Sequence, residues 1–88
     1  MIVPTVGRIV WLNRPGKQTE AAIVTGVHGE GEQINVCGFS FEGTIFTQVN
    51  IPLIQEGQPR PVGVYACWMP YQQAAAKKYP VDTAPVKA

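Results

Sequence analysis

The chain has 88 residues, enough for one domain but near the lower limit for a self-sufficient core. Its 45% hydrophobic and 15% charged residues are typical of a globular protein rather than a disordered one. The net charge is +1 and the basic residues do not cluster, so we expect neither a DNA-binding stripe nor a basic membrane-binding tail.

Turn signals divide the chain into apolar runs of strand length. The first turn contains Pro15-Gly16, a pair that suits the two central positions of a type II turn. Glycines predict turns at 28–33 and 41–44, and 56–63 is predicted as a longer loop. The five runs between these turns are rich in β-branched residues and are predicted as strands: 6–12, 21–28, 33–41, 45–54 and 63–69.

In two of these runs the apolar residues recur at every second position. In 45–54, Ile45, Val49, Ile51 and Leu53 have the same parity, which predicts one common face. In 33–41 the apolar parity changes after residue 36, and we expect a β-bulge near Gly38 that bends the strand.

Five short strands with hairpin links and one bend predict a fold class. We expect an all-β protein, a small five-stranded SH3-like or OB-like antiparallel barrel with a short C-terminal helix or tail. The barrel domain would span 1–70. The remainder, 71–88, would contain a short helix over 71–78 and then a mobile C-terminal tail with two prolines.

The first predicted strand has no polar face. Val10 and Leu12 share one face with Arg8, while Ile9 and Trp11 occupy the other. An antiparallel sheet with one wet face would carry polar residues on that face. Two explanations stay open: 71–88 folds back over the outer face, or a second copy of the chain packs there, which favours a homo-oligomer.

The sequence contains no catalytic or metal-binding pattern. His28 is the only histidine, and it ends a strand beside a turn, where a solvent-facing role is ordinary. Cys37 and Cys67 lie inside apolar runs and are expected as free thiols. The acidic residues lie mostly in turns. We therefore expect no enzyme, no bound metal and no cofactor.

Aromatic and basic side chains near the first and last strands form the strongest candidate for a binding site. Nucleotide bases stack on aromatic rings for roughly 1–3 kcal/mol each, and arginine pairs with phosphate in bidentate fashion. The predicted ligand-binding residues are Arg8, Trp11, Arg14, Tyr65, Trp68, Tyr71 and Gln72. The competing interpretation places Trp68 and Tyr65 in the core or in a subunit interface, where aromatics are also enriched.

Four segments resemble a family of small phage-encoded proteins. They are "PTVGRIVW" (4–11), "AAIVTGV" (21–27), "IPLIQ" (51–55) and "WMPYQ" (68–72), and the resemblance covers 3–73. It extends to viral sponge proteins that sequester cyclic dinucleotide alarm signals of the CBASS type. This chain departs from that expectation because it lacks a dense cationic pocket.

The resemblance implies a function as well as a setting. We expect a phage counter-defence protein that binds a cyclic dinucleotide without cleaving it, between subunits of a homo-oligomer, in the cytoplasm of an infected bacterial host cell. Neither DNA nor a membrane is an expected partner, because basic clusters, a signal peptide and a membrane-length apolar run are missing. The alternatives are a virion or assembly accessory protein and a direct inhibitor of a host protein.

Overall fold

A computed structural model describes residues 1–78 of the chain. In chain order the elements are β1 (Ile9–Asn13), β2 (Glu20–His28), β3 (Gln33–Phe39), β4 (Ile45–Ile54), β5 (Tyr65–Cys67) and α1 (Pro70–Lys78). All five predicted strands and the predicted helix are present. The predicted tail falls on 79–88 and lies outside the described residues, so it stays a prediction.

The five strands close into a barrel in which each strand pairs with the next and β5 pairs with β1. This confirms the small all-β barrel with a short C-terminal helix. The consecutive strand order fits the SH3-like alternative, because an OB barrel exchanges strand neighbours in a Greek key. One pairing departs from the antiparallel expectation: β4 and β5 run parallel, because five strands in a closed ring cannot alternate in direction at every pair.

The core fills the inside of the barrel with alternate residues of the strands. Val10 and Leu12 of β1 are fully buried, and Trp68 after β5 is 2% exposed. Ile2, near the N-terminus, belongs to the same cluster. Its main-chain N–H donates to Gln55 Oε1 at 3.0 Å, and Gln55 Nε2 donates back to its carbonyl at 2.9 Å.

The predicted bulge near Gly38 is wrong. The irregularities lie between Val24 and Gly26 in the β2–β3 ladder and between Ile34 and Val36 in the β3–β4 ladder. The alternation of inward-facing residues in β3 continues unchanged through Gly38. Gly38 faces the inside of the barrel, and the ring of Phe46 fills the space that a side chain at this position would occupy. A Cβ atom at Gly38 would lie 2.5 Å from that ring.

The single common face predicted for 45–54 is also wrong. Ile45 and Val49 are exposed, whereas Ile51 and Leu53 are buried. The parity changes at Asn50, which adopts a left-handed backbone with φ of 57°. Asn35, opposite the irregularity, accepts the main-chain N–H of Asn50 on its Oδ1 at 2.7 Å.

Apolar residues cover much of the outside of the sheet, as the sequence predicted. The strand register aligns them in two rows across β1 to β4, here called the outer apolar face. The first row is Ile9, Ile23, Cys37 and Thr47, and the second is Trp11, Ala21, Phe39 and Ile45. Ile9 remains 46% and Trp11 38% exposed, so 71–78 does not seal this face.

Two further features complete the description. Cys37 and Cys67 are both free thiols, the first half-buried and the second buried. Among residues 1–78, no helix is long and apolar enough to span a membrane.

Candidate ligand-binding groove

A turn directly before β1 places Arg8 at the rim of the barrel. Gly7 takes a φ of 98° there, a conformation that favours glycine. The N–H of Gly7 donates to the carbonyl of Val24 at 2.8 Å, and the N–H of Val24 donates to the carbonyl of Arg8 at the same distance. These bonds fix the backbone of Arg8 against β2. The turn and its hydrogen bonds therefore explain the glycine of the "PTVGR" segment by local structure.

The "WMPYQ" segment forms the start of α1. Met69 is the N-cap, Pro70 occupies the first helical position, which its fixed φ suits, and the side chain of Gln72 reaches back to the Met69 N–H at 2.7 Å. Gln72 Nε2 also donates to the carbonyl of Ile9 at 3.0 Å. Both ends of this amide are therefore occupied, and Gln72 fixes the helix to β1.

Arg8 and α1 enclose an open groove of about 340 Å³, here called the Arg8 groove. Its lining is Ile2, Val3, Arg8, Ile9, Tyr71, Gln72, Ala75 and Ala76. Tyr71 is 68% exposed. The guanidinium carbon of Arg8 lies 5.2 Å from the centroid of the buried Trp68 ring, a cation–π contact that orients the charge.

Charge distinguishes this groove from three other cavities. Its lining contains one cation and no carboxylate. A larger cavity of about 460 Å³ includes Glu56, which pairs with Lys77 at 3.1 Å. The other two are lined in part by Glu56 and by Glu30 with Glu32, respectively. Of the four, the Arg8 groove is the one best suited to an anionic ligand.

A second cluster of predicted residues lies at a different cavity. Trp11 and Trp68 line a pocket of about 250 Å³ together with Arg60. The guanidinium of Arg60 donates to the hydroxyl of Tyr65 at 3.1 Å, and this contact raises the pKa of Arg60. Trp68 Nε1 is buried and has no hydrogen-bond partner among the described residues.

Arg14 lies apart from both cavities. Its guanidinium donates two hydrogen bonds of 2.8 Å to the carboxylate of Glu20, whose side chain is 4% exposed. The same guanidinium stacks over Phe46, with its carbon 4.0 Å from the ring centroid. The hydrogen bonds from Arg14 hold the pKa of Glu20 below its usual range and raise the pKa of Arg14. Arg14 is therefore already paired and packed against Phe46.

The predicted site residues thus occupy three places. Arg8, Tyr71 and Gln72 line the Arg8 groove, Trp11 and Trp68 line the second pocket beside Tyr65, and Arg14 pairs with Glu20. The sequence analysis missed Ile2 and Val3, which form one wall of the groove. No local signal marks them, because Gln55 anchors Ile2 from 53 residues away.

The ionisable groups elsewhere have simple surroundings. His28 Nε2 lies 2.9 Å from Asn35 Oδ1 at the exposed end of β2. Within the described part of the chain, no three residues among the His, Cys, Asp and Glu side chains group as metal ligands would.

Within residues 1–78, the fold and the groove define a small SH3-like barrel with a groove at its rim whose lining has one cation and no carboxylate. Comparisons with protein-family models, curated proteins and solved structures gave no match.

Proposed function

We propose that this protein binds and sequesters a cyclic dinucleotide without cleaving it, and that the ligand lies between subunits of a homo-oligomer. The single observation that carries the proposal is the charge of the Arg8 groove. Arg8 forms no ion pair with a carboxylate of residues 1–78, and it stands beside an exposed tyrosine ring. A phosphate and a base need these two partners.

Size supports a ligand shared by two chains. A groove of about 340 Å³ lies near the lower limit for sites that bury a drug-sized molecule. A cyclic dinucleotide has two bases and two phosphates, whereas one groove supplies one arginine and one exposed ring. Two grooves related by a two-fold axis would supply one such set for each half of the ligand.

The resemblance to phage sponge proteins favours the same class of ligand. Its two most specific segments contain the groove residues, since Arg8 belongs to "PTVGR" and Tyr71 to "WMPYQ". On this proposal the protein acts in the cytoplasm of an infected cell by lowering the free concentration of an immune signal.

Calorimetric titration with a panel of cyclic dinucleotides tests the proposal. A ligand at one hundred times its Kd should raise the free energy of unfolding by about 2.7 kcal/mol, which a thermal melt detects. Nucleotide recovered from the denatured complex should be chromatographically intact. No binding across the panel, or recovery of a cleaved product, would contradict the function.

Two matched substitutions locate the site. Arg8→Met keeps much of the aliphatic packing over Trp68 but removes the charge, and we expect the Kd to rise at least tenfold. Lys17→Met removes another exposed cation, from the first turn, and should leave the Kd unchanged. If both variants bind like the wild type, the ligand does not lie in the Arg8 groove.

A second candidate function is a structural component of a viral particle. The outer apolar face favours it, because large exposed apolar patches mark protein contacts. Mass spectrometry of purified particles tests this alternative, and absence of the protein from them would eliminate it.

A further inference from the structure

One edge of β4 is open along its first half. β3 pairs with β4 from Ile45 to Pro52, whereas β5 joins the other side only at Leu53 and Ile54. From Ile45 to Val49, no strand of residues 1–78 lies on that second side. The barrel is therefore closed at one end of β4 and has a free strand edge at the other.

The hairpin between β3 and β4 determines which backbone groups point outward. The N–H of Ser40 donates to the carbonyl of Thr44 at 2.9 Å, so these residues form a hydrogen-bonded pair. Such pairs alternate with non-hydrogen-bonded pairs in an antiparallel ladder. The main-chain N–H and C=O groups of Ile45, Thr47 and Val49 therefore point away from β3, toward the free edge.

The open part of this edge lacks the charged residues and prolines that commonly keep edge strands of separate molecules apart. Natural edge strands commonly carry lysine, proline or an inward charge. The sequence has no charged residue from 43 to 55, and Pro52 lies beyond the open part. Ile45 and Val49 are 63% and 66% exposed.

We propose that the free edges of β4 from two copies pair in antiparallel fashion, with the two-fold axis at Thr47. This register places Thr47 opposite the partner's Thr47 and Ile45 opposite the partner's Val49. Each of the three residue pairs contributes two backbone hydrogen bonds, about six in all. The side chains that meet are a threonine pair and two β-branched aliphatic pairs, which stabilise adjacent strands.

A second copy fits this edge better than an unrelated strand. The outward sequence Ile-Thr-Val has nearly the same character in both directions about Thr47, as an isologous contact requires. No charge within the strand opposes its own copy. The pairing would also join the two outer apolar faces into one, because Thr47 and Ile45 end the two rows.

Introducing a charge at the axis gives a sharp test, performed without nucleotide so that it is independent of the proposed function. In sedimentation equilibrium from about 1 to 200 µM, the wild type should dimerise. Thr47→Lys and Thr47→Glu should each raise the dimer Kd at least tenfold, because like charges then meet across the axis. An equimolar mixture of the two should dimerise again as the heterodimer.

Thr25→Lys is the matched control. Thr25 is also exposed, but it lies on β2 away from the edge, so this variant should dimerise like the wild type. A monomeric wild type, unchanged dimers in both Thr47 variants, or no recovery on mixing would each overturn the proposal.

Hydrogen exchange of the wild type keeps the proposal testable if a variant does not fold. The amides of Ile45, Thr47 and Val49 should be protected in concentrated protein and should exchange in dilute protein. Protection that does not depend on concentration would overturn the pairing.

Discussion

In the first half of β4, Ile45, Thr47 and Val49 face solvent, whereas in the second half Ile51 and Leu53 face the core. The five residues have the same parity in the sequence and nearly the same composition. Asn50 separates the halves because its left-handed backbone adds a residue to the strand and exchanges the inner and outer sides. One residue thus determines which half of the strand is a core element and which is a surface.

The two halves also differ in what covers their inner side. Behind the second half lie apolar core residues such as Val10, Leu12 and Trp68. Behind the first half, Phe46 contacts Arg14, which pairs with Glu20. The second half therefore depends on apolar burial, and the first half depends partly on an ion pair.

The largest difference between the halves should appear on truncation of matched aliphatic residues. Ile51 is 5% exposed, so Ile51→Ala should lower the free energy of unfolding by about 2–5 kcal/mol through lost burial and a cavity. Val49→Ala removes a side chain that is 66% exposed and should cost less than about 0.5 kcal/mol. Urea denaturation of dilute protein measures both. Equal losses would mean that the halves do not differ in burial.

A smaller effect should follow from removal of the ion pair behind the first half. Glu20→Gln removes the carboxylate charge and leaves one amide oxygen in place of the two oxygens that accept from Arg14, and we expect a loss of about 1–2 kcal/mol at pH 7. Because the folded state lowers the pKa of Glu20, this stabilisation is complete above the unfolded-state pKa. It disappears as the pH falls through the folded-state value.

The pH dependence supplies the control for that substitution. The wild type should lose more stability than Glu20→Gln between pH 6 and pH 3, so that the two unfolding curves approach each other in acid. A constant difference over this interval would show that the effect of the substitution is not electrostatic.

An effect of similar size to that of the ion pair concerns the residue at the boundary of the halves. Asn50→Val places a β-branched residue at a φ of 57° and should cost about 1–2 kcal/mol. Asn50→Gly adopts that backbone without strain and should stay within about 0.5 kcal/mol of the wild type. Thermal denaturation compares the two variants, and equal melting temperatures would show that the backbone conformation at Asn50 carries no strain.

The residues that line the candidate site could be predicted only in part from the sequence. Arg8 and Tyr71, selected from the sequence as basic and aromatic groups near the first and last strands, line one groove. Arg14 has the same residue type but is paired with Glu20. Residue type alone does not separate these arginines. They differ because the β1–β2 hairpin brings the carboxylate of Glu20, six positions along the chain, to Arg14.

The sequence by itself determined the number of strands, their approximate bounds, the turn at Pro15-Gly16 and the short helix. These features follow from local chemistry: β-branched runs, glycine and proline at turns, and the fixed φ of Pro70. Only the tertiary structure decided the parity of β4, the parallel β4–β5 pairing and the division of the predicted site residues among three places. Those outcomes depend on contacts between residues far apart in the chain, such as Gln55 with Ile2 and Asn35 with Asn50, whose geometry no local pattern encodes.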